Sequence, residues 1–398
     1  MNDDAKKLDI TTRLVHAGER QPLPGGQPVA TPIYATSTFT YPSMQEIDQV
    51  FSGEQPGYVY TRHGNPTLAA LEQAILAVEE GATACVYASG MAALHAALLA
   101  CDLKAGSTVL ASQDVYGATT NLLFTVFSSF GVKTVATDFS DIDRLREKTR
   151  VVKPLVMIAE TISNPLLKVC DIEAVAEIAR ENNARLIIDN TFASPFLCQP
   201  LKLGADMVVH SATKYLGGHA DATGGIVVSR DEMDSIALIG AMKLVGGVLG
   251  VWDAHTILRG VKTLALRMER QCQNARQLAE RLSGNERLAR VYYPTLTEDG
   301  AELTNRILRA PHGGALVSIE LKEQTRGAAF RFMDRLQLCV RATSLGDVFT
   351  GVLHAASASH RDLTPARRAE LGISEGLVRI SVGIESIDDI IADVEQAL

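Results

Sequence analysis

Three short apolar runs in this chain lead directly into residues that can do chemistry. Leu186-Ile187-Ile188 is followed by Asp189-Asn190-Thr191, and Met207-Val208-Val209 by His210-Ser211-Ala212-Thr213-Lys214. A third run ends at Ala88 and opens into Ser89-Gly90-Met91. A carboxylate behind three apolar residues is partly stripped of water and needs a partner. For Asp189 that partner is a helix N-terminus, a salt bridge, or a cation such as a protonated pyridine nitrogen. A lysine behind two hydroxyls is either an ordinary loop residue or, with a depressed pKa, an amine able to attack an aldehyde. Ser89-Gly90-Met91 offers backbone N–H groups at the start of a helix, with glycine permitting close approach, which suits an anion. The chain lacks both the spaced glycines of a dinucleotide fingerprint and the Gly-Lys-Ser/Thr of a nucleotide-binding loop. A phosphate monoester therefore fits this turn better than a nucleotide.

These residues need a scaffold. Short β-branched or apolar runs recur at Ala84–Ala88, Thr108–Ala111, Leu155–Ala159, Leu186–Ile188, Met207–Val209 and Gly225–Val228, with helical segments such as Pro66–Val78, Met91–Ala100 and Ile172–Asn182 between them. Alternation of this kind predicts an α/β fold with a mostly parallel sheet covered by helices, and a site at the carboxyl ends of the strands. Residues 1–64 read as an arm, because Pro22, Pro24, Pro28, Pro32, Pro42 and the Gly25-Gly26 pair break any long helix. An arm of this composition packs on something, often a neighbouring subunit. Residues 65–253 form the α/β domain. Residues 254–398 read as a smaller α+β C-terminal domain, with a long helical stretch Ala254–Leu282 and strands at Ala315–Glu320 and Leu377–Val382.

Bulk properties narrow the field. With 398 residues, 46% hydrophobic and 21% charged, the composition is that of an ordinary globular protein. A net charge of -8 and the lack of a basic, aromatic-laced stripe argue against nucleic acid. No apolar run is long enough to span a bilayer, and the polar segment Met1–Asp9 has no signal region behind it. Six scattered cysteines without a C-x-x-C pair suggest free thiols and a cytoplasmic setting. His63, His95, His210 and His219 lack metal-ligand spacing and read as structural, so no metal is expected.

The whole set of motifs resembles the Cys/Met-metabolism group of pyridoxal-phosphate (PLP) enzymes, of the aminotransferase-like fold type I. The resemblance rests on Tyr58-Val-Tyr-Thr-Arg-His-Gly-Asn-Pro-Thr67, Ser89-Gly-Met91, Val115-Tyr-Gly117, Ser163-Asn-Pro165, Asp189-Asn-Thr191, Ser211-Ala-Thr-Lys214, Ser344-Leu-Gly346 and Gly376-Leu-Val-Arg-Ile-Ser381. It implies that Lys214 carries the cofactor covalently and shuttles protons, that Asp189 bonds the ring nitrogen, and that Tyr116 stacks on the ring and acts at the leaving group. Ser89, Gly90, Met91, Ser211 and Thr213 would cradle the phosphate, joined by Tyr60 and Arg62 of a neighbouring subunit. Asn164 would bond the ring hydroxyl, while Arg379 with Ser344 would clamp the substrate carboxylate.

The implied activity is a carbon–sulfur lyase reaction, α,γ-elimination on methionine or homocysteine to 2-oxobutanoate, ammonia and a thiol. Cystathionine γ-elimination and γ-replacement are the alternatives within the group. Ala118 stands where methionine-specific members usually carry cysteine, and Thr343 where cystathionine-handling members usually carry glutamate. Ser344-Leu-Gly-Asp347, the tail Gly372–Arg379 and Thr61 look most like the methionine enzymes. The assembly so implied is a homotetramer built from dimers with shared active sites.

Overall fold

The computed structural model describes residues 8–20 and 26–398. Pro22, Pro24 and Gly25 of the arm, and Met1–Lys7, lie outside the described residues. Within the arm there are two short α-helices, Ile10–His16 and Met44–Ser52, and a 3₁₀ turn, Thr61–His63, with no long helix among the described residues.

Seven strands build the larger sheet: β1 (Thr83–Tyr87), β2 (Thr108–Ser112), β3 (Lys133–Thr137), β4 (Val156–Glu160), β5 (Arg185–Asp189), β6 (Met207–Ser211) and β7 (Gly225–Ser229). Their order is β1-β7-β6-β5-β4-β2-β3. Strands β2 to β6 are mutually parallel where they pair, and β7 runs antiparallel to both β6 and β1. The reversal has a simple cause. The link from β6 to β7 is a turn-rich segment, residues 212–224, with no crossover helix, and a parallel return requires one. That same segment carries Lys214.

Strand β3 escapes the apolar pattern of its neighbours. It lies at the sheet edge, and Lys133 and Ala136 are exposed, so its sequence lacks a continuous buried run. The helices covering the sheet follow their own local chemistry. Pro66–Glu79 starts at Asn65, whose side chain accepts the Thr67 N–H at 2.9 Å, and Pro66 fills the first helical position, where no donor is needed. Its Leu68, Leu71, Ile75 and Val78 recur at helical spacing and are fully buried. Gly90–Ala100 is apolar almost throughout and packs across β6 and β7, which places its N-terminus beside the β6 carboxyl end.

A second sheet holds β8 (Leu288–Tyr292), β9 (Leu316–Leu321), β10 (Val340–Arg341), β11 (Gly351–His354) and β12 (Leu377–Ser381) in the order β10-β11-β12-β9-β8. The expected helical stretch Ala254–Leu282 is two helices, Val251–Val261 and Leu264–Leu282. The break is made by Arg267, whose guanidinium donates to the Gly260 carbonyl at 2.8 Å, while the Thr263 N–H reaches the same oxygen in a tight final turn. The second helix joins the two sheets. Leu264, Met268 and Cys272 enter the core under the larger sheet, and Ala275, Leu278 and Leu282 enter that of the smaller one. Among the described residues no helix is long and apolar enough to cross a membrane.

Gly225 shows how tightly the site end of the sheet is packed. A Cβ there would lie 2.0 Å from the Ser89 carbonyl oxygen, a backbone atom that cannot swing away. Gly225→Ala is expected to cost about 1–3 kcal/mol and to lower the melting temperature, as read by thermal denaturation.

Candidate active site

At the carboxyl ends of β5 and β6 the chain places an acid and an amine with few partners. Asp189 accepts the Thr191 hydroxyl at 2.5 Å and the Thr191 N–H at 3.0 Å. Burial pushes its carboxyl above the usual range, opposed by those two bonds and by His210. Among the described residues no lysine or arginine forms an ion pair with it. Thr191 also binds the next strand, since its hydroxyl oxygen accepts the Ser211 N–H at 2.8 Å. One threonine thus sets the acid and the start of the lysine turn relative to each other.

Lys214 lies in that turn, with its Nζ donating to Ser344 Oγ at 3.1 Å. Burial lowers its pKa below the ordinary lysine value, Arg379 adds to the effect, and Asp347 opposes it. The turn is held by backbone contacts on two sides. Gly260 packs so closely that a Cβ would meet the Gly217 oxygen at 2.2 Å, and a Cβ at Gly346 would meet the Tyr215 nitrogen at 2.7 Å. Arg267 donates to the Tyr215 carbonyl at 2.8 Å.

Arg379 reaches the same place from β12 and is 3% exposed. Its Nη1 donates to Asn164 Oδ1 at 2.8 Å and its Nη2 to the Ser344 carbonyl at 3.3 Å. Nε is buried and, among the described residues, has no hydrogen-bond partner. The guanidinium lies 5.6 Å from the centre of the Phe192 ring. Burial lowers its pKa to about 10, which leaves it cationic at neutral pH.

The anion turn predicted from sequence is formed. Ser89 caps the helix Gly90–Ala100 through its Oγ, which accepts the Ala92 N–H at 3.1 Å, leaving the earlier N–H groups of Gly90 and Met91 at the open end. A Cβ on Gly90 would meet Ser211 Cβ at 2.8 Å and Oγ at 3.0 Å, so glycine lets the two turns touch. Thr213 is close by, with its Oγ1 accepting the Gly224 N–H at 3.0 Å. Tyr116 precedes the short helix Gly117–Asn121 and is 41% exposed.

Two expected residues are not brought to this group within the single chain. Arg62 donates to the Lys243 carbonyl at 2.6 Å and lies over the Tyr60 ring, 5.5 Å from its centre. No hydrogen bond among the described residues joins either to Lys214 or to the Ser89 and Ser211 turns. His210 stands on the far face of the sheet, bonded to the buried Glu79 at 2.6 Å.

Sequence reasoning missed three neighbours. Glu160 at the end of β4 accepts the Tyr116 N–H at 2.6 Å. His360 is 3% exposed and is pushed down to about 4 by burial and then by Arg379, so it is neutral beside the guanidinium. Asp347 is buried, and its Oδ1 has no hydrogen-bond partner among the described residues. An acid directly behind the apolar run Leu155–Ala159 carries the same signal that picked out Asp189, so Glu160 was detectable. His360 sits in a loop without a pattern.

The group fits a phosphorylated pyridine aldehyde. It contains a desolvated carboxylate and a desolvated amine, neither of them in an ion pair among the described residues, and a helix N-terminus where any Cβ at Gly90 would collide with Ser211.

Comparison with known proteins agrees. Residues 11–398 match the family described as Cys/Met metabolism PLP-dependent enzyme. The L-methionine gamma-lyase of Pseudomonas putida is 43% identical over 399 residues, covering 100% of this chain and 99% of that protein. That of Fusobacterium nucleatum subsp. polymorphum is 42% identical over 402 residues, covering 99% of each. The crystal structure of metB from Corynebacterium glutamicum superposes with a TM-score of 0.91 at 38% identity, covering 99% of each chain.

The Thr191 bridge is testable directly. Thr191→Val removes a donor to Asp189 and orphans the Ser211 N–H. It is expected to weaken PLP binding by about tenfold or more, measured by titrating apoprotein with the cofactor.

Proposed function

From the premise that this chain belongs to the Cys/Met metabolism PLP-dependent enzymes, we propose that it is a carbon–sulfur lyase performing α,γ-elimination. Its substrate in this reading is methionine or homocysteine, which with water yields 2-oxobutanoate, ammonia and, respectively, a thiol or hydrogen sulfide. The observation that carries the reading is one hydrogen-bonded series. Lys214 Nζ meets Ser344 Oγ, the Ser344 carbonyl meets Arg379, and Arg379 meets Asn164.

PLP, when bound, supplies an electron sink for negative charge developing next to the amino-bearing carbon. Asp189 keeps a proton on the ring nitrogen, a task suited to a desolvated carboxylate with no other cation. Asn164 has its Oδ1 committed to Arg379, so its amide N–H is the group that donates to the ring hydroxyl. The N–H groups of Gly90 and Met91, with Ser89, Ser211 and Thr213, hold the phosphate. Arg379 and Ser344 hold the substrate carboxylate, and the buried, unpartnered Nε of Arg379 supplies a donor for it. Lys214, with its lowered pKa, takes the proton from Cα and moves protons at Cβ. Tyr116 packs on the ring and gives its phenolic proton to the departing thiolate.

Thr343 is exposed and uncharged, so it offers no carboxylate to the distal ammonium of cystathionine. That favours the methionine-type substrate. Tyr60 and Arg62, turned away from their own site, complete that of a neighbouring subunit in this reading. Exposed Ile236, Leu244, Trp252 and Leu266 are consistent with a homotetramer of dimers, and six free cysteines with the cytoplasm. The division into arm, cofactor domain and C-terminal domain at residues 64 and 253 belongs to the same reading.

Release of 2-oxo acid from L-methionine and L-cystathionine, measured side by side with PLP-loaded protein, tests the substrate. Faster release from methionine is expected, abolished by Lys214→Ala. Release from cystathionine alone would contradict the assignment. For shared sites, mixing inactive Arg62→Ala and Lys214→Ala proteins is expected to restore part of the activity through hybrid dimers. No recovery despite demonstrated subunit exchange would place Arg62 in its own subunit.

A further inference from the structure

Glu160 ends β4 directly across from Asp189 at the end of β5. Neighbouring strands lie about 4.8 Å apart, so the two carboxyl side chains leave the sheet side by side on one face. Glu160 Oε1 accepts the Tyr116 N–H at 2.6 Å, and the Asn164 N–H faces the same carboxyl and helps to lower its pKa. A single side chain thereby ties down the main chain at Tyr116 and faces that of Asn164, on a different loop. The loop carrying Tyr116 follows β2, whereas Asn164 follows β4 itself.

The groups facing Glu160 are nearly all the wrong sign to keep it ionised. Asp189 faces it from β5 and Asp114 from the loop before Tyr116, the latter neutralised by Lys168 at 3.0 Å. Arg379 on β12 is the cation within influence, and it is hydrogen-bonded to Asn164 and Ser344 instead. No ion pair to Glu160 occurs among the described residues. Burial, and then the charge of Asp189, push its carboxyl well above the usual range.

We propose that Glu160 is a positioning residue, whose carboxyl fixes the main chain of Tyr116 and Asn164 and so sets where the phenol and the amide meet the cofactor ring. The inference rests on the roles given above to Tyr116, Asn164 and Asp189. Glu160 acts as a neutral acid. Two adjacent carboxyls in a desolvated site do not both ionise cheaply, and the charge is needed on Asp189. An amide oxygen accepts the same two N–H groups as a neutral carboxyl does, so glutamine can replace it where alanine cannot.

The test compares wild type, Glu160→Gln and Glu160→Ala as PLP-loaded proteins. Its readouts are visible circular dichroism of the bound cofactor, PLP affinity of the apoproteins, and kcat and KM separately. Glu160→Ala is expected to lose about tenfold or more in kcat, with a smaller change in KM and an altered visible dichroism, because the groups that act on the ring are displaced. Glu160→Gln is expected to recover most of the kcat and the native dichroism. Native dichroism and kcat in Glu160→Ala would overturn the inference. So would a Glu160→Gln protein with native far-ultraviolet dichroism but a disturbed cofactor band, since that would mean the negative charge is required. If Glu160→Ala fails to fold, the glutamine variant alone decides by the same criterion. A wild-type protein that takes up no PLP would instead defeat the functional reading on which this inference rests.

Discussion

The structure depends on keeping two unlike charges, Asp189 and Lys214, largely desolvated at the ends of adjacent strands without letting them neutralise each other. Removing an ion from water costs several kcal/mol even after relaxation. A pair following neighbouring strands would ordinarily recover that cost by pairing. Here each is satisfied by hydroxyl groups instead, Asp189 by Thr191 and Lys214 by Ser344. Both therefore retain an unmet electrostatic demand of opposite sign. A basic ring nitrogen would take a proton opposite Asp189, and an aldehyde would condense with the amine that burial makes easier to deprotonate, which is why the arrangement suits PLP.

The surrounding architecture serves this separation. Strand β7 reverses direction, and the short link preceding it presents Lys214 from a turn instead of burying it in a crossover helix. Gly260 and Gly346 bring a helix and a loop against the backbone of that turn, and Arg267 ties its carbonyl. The second sheet contributes through Arg379 on β12 and Ser344 on the loop before β11, so the site is closed by both sheets. The helix Leu264–Leu282, shared by the two cores, holds the sheets in register with each other. Substrate anchoring and proton transfer are thus mounted on different parts of the chain and meet only when both are packed.

Much of this was legible in the sequence because desolvation leaves a mark there. The strand pattern located β1, β2, β4, β5, β6 and β7 to within a residue or two, since buried strands read as continuous apolar runs ending in polar residues. The edge strands β3 and β8 and the short β10 and β11 were not legible. The first two are partly exposed and the others are too short to show a period. The break between Val251–Val261 and Leu264–Leu282 is made by a guanidinium from the following helix, a tertiary contact with no local signal. Asp189, Lys214, Asn164, Ser344 and Arg379, which motif resemblance singled out, are gathered at one place. Glu160 was overlooked although it follows an apolar run as Asp189 does, and His360 lies in a loop whose meaning depends on Arg379 being nearby.

The central claim is that Lys214, held beside Asp189 yet apart from it, is the amine that receives the cofactor aldehyde. Borohydride reduction of the PLP-loaded protein, followed by peptide mass mapping, tests this most directly. The account predicts a pyridoxyl mass increment on the peptide containing Lys214 and on no other lysine at comparable yield. An increment on a different lysine, or none despite bound PLP, would contradict it.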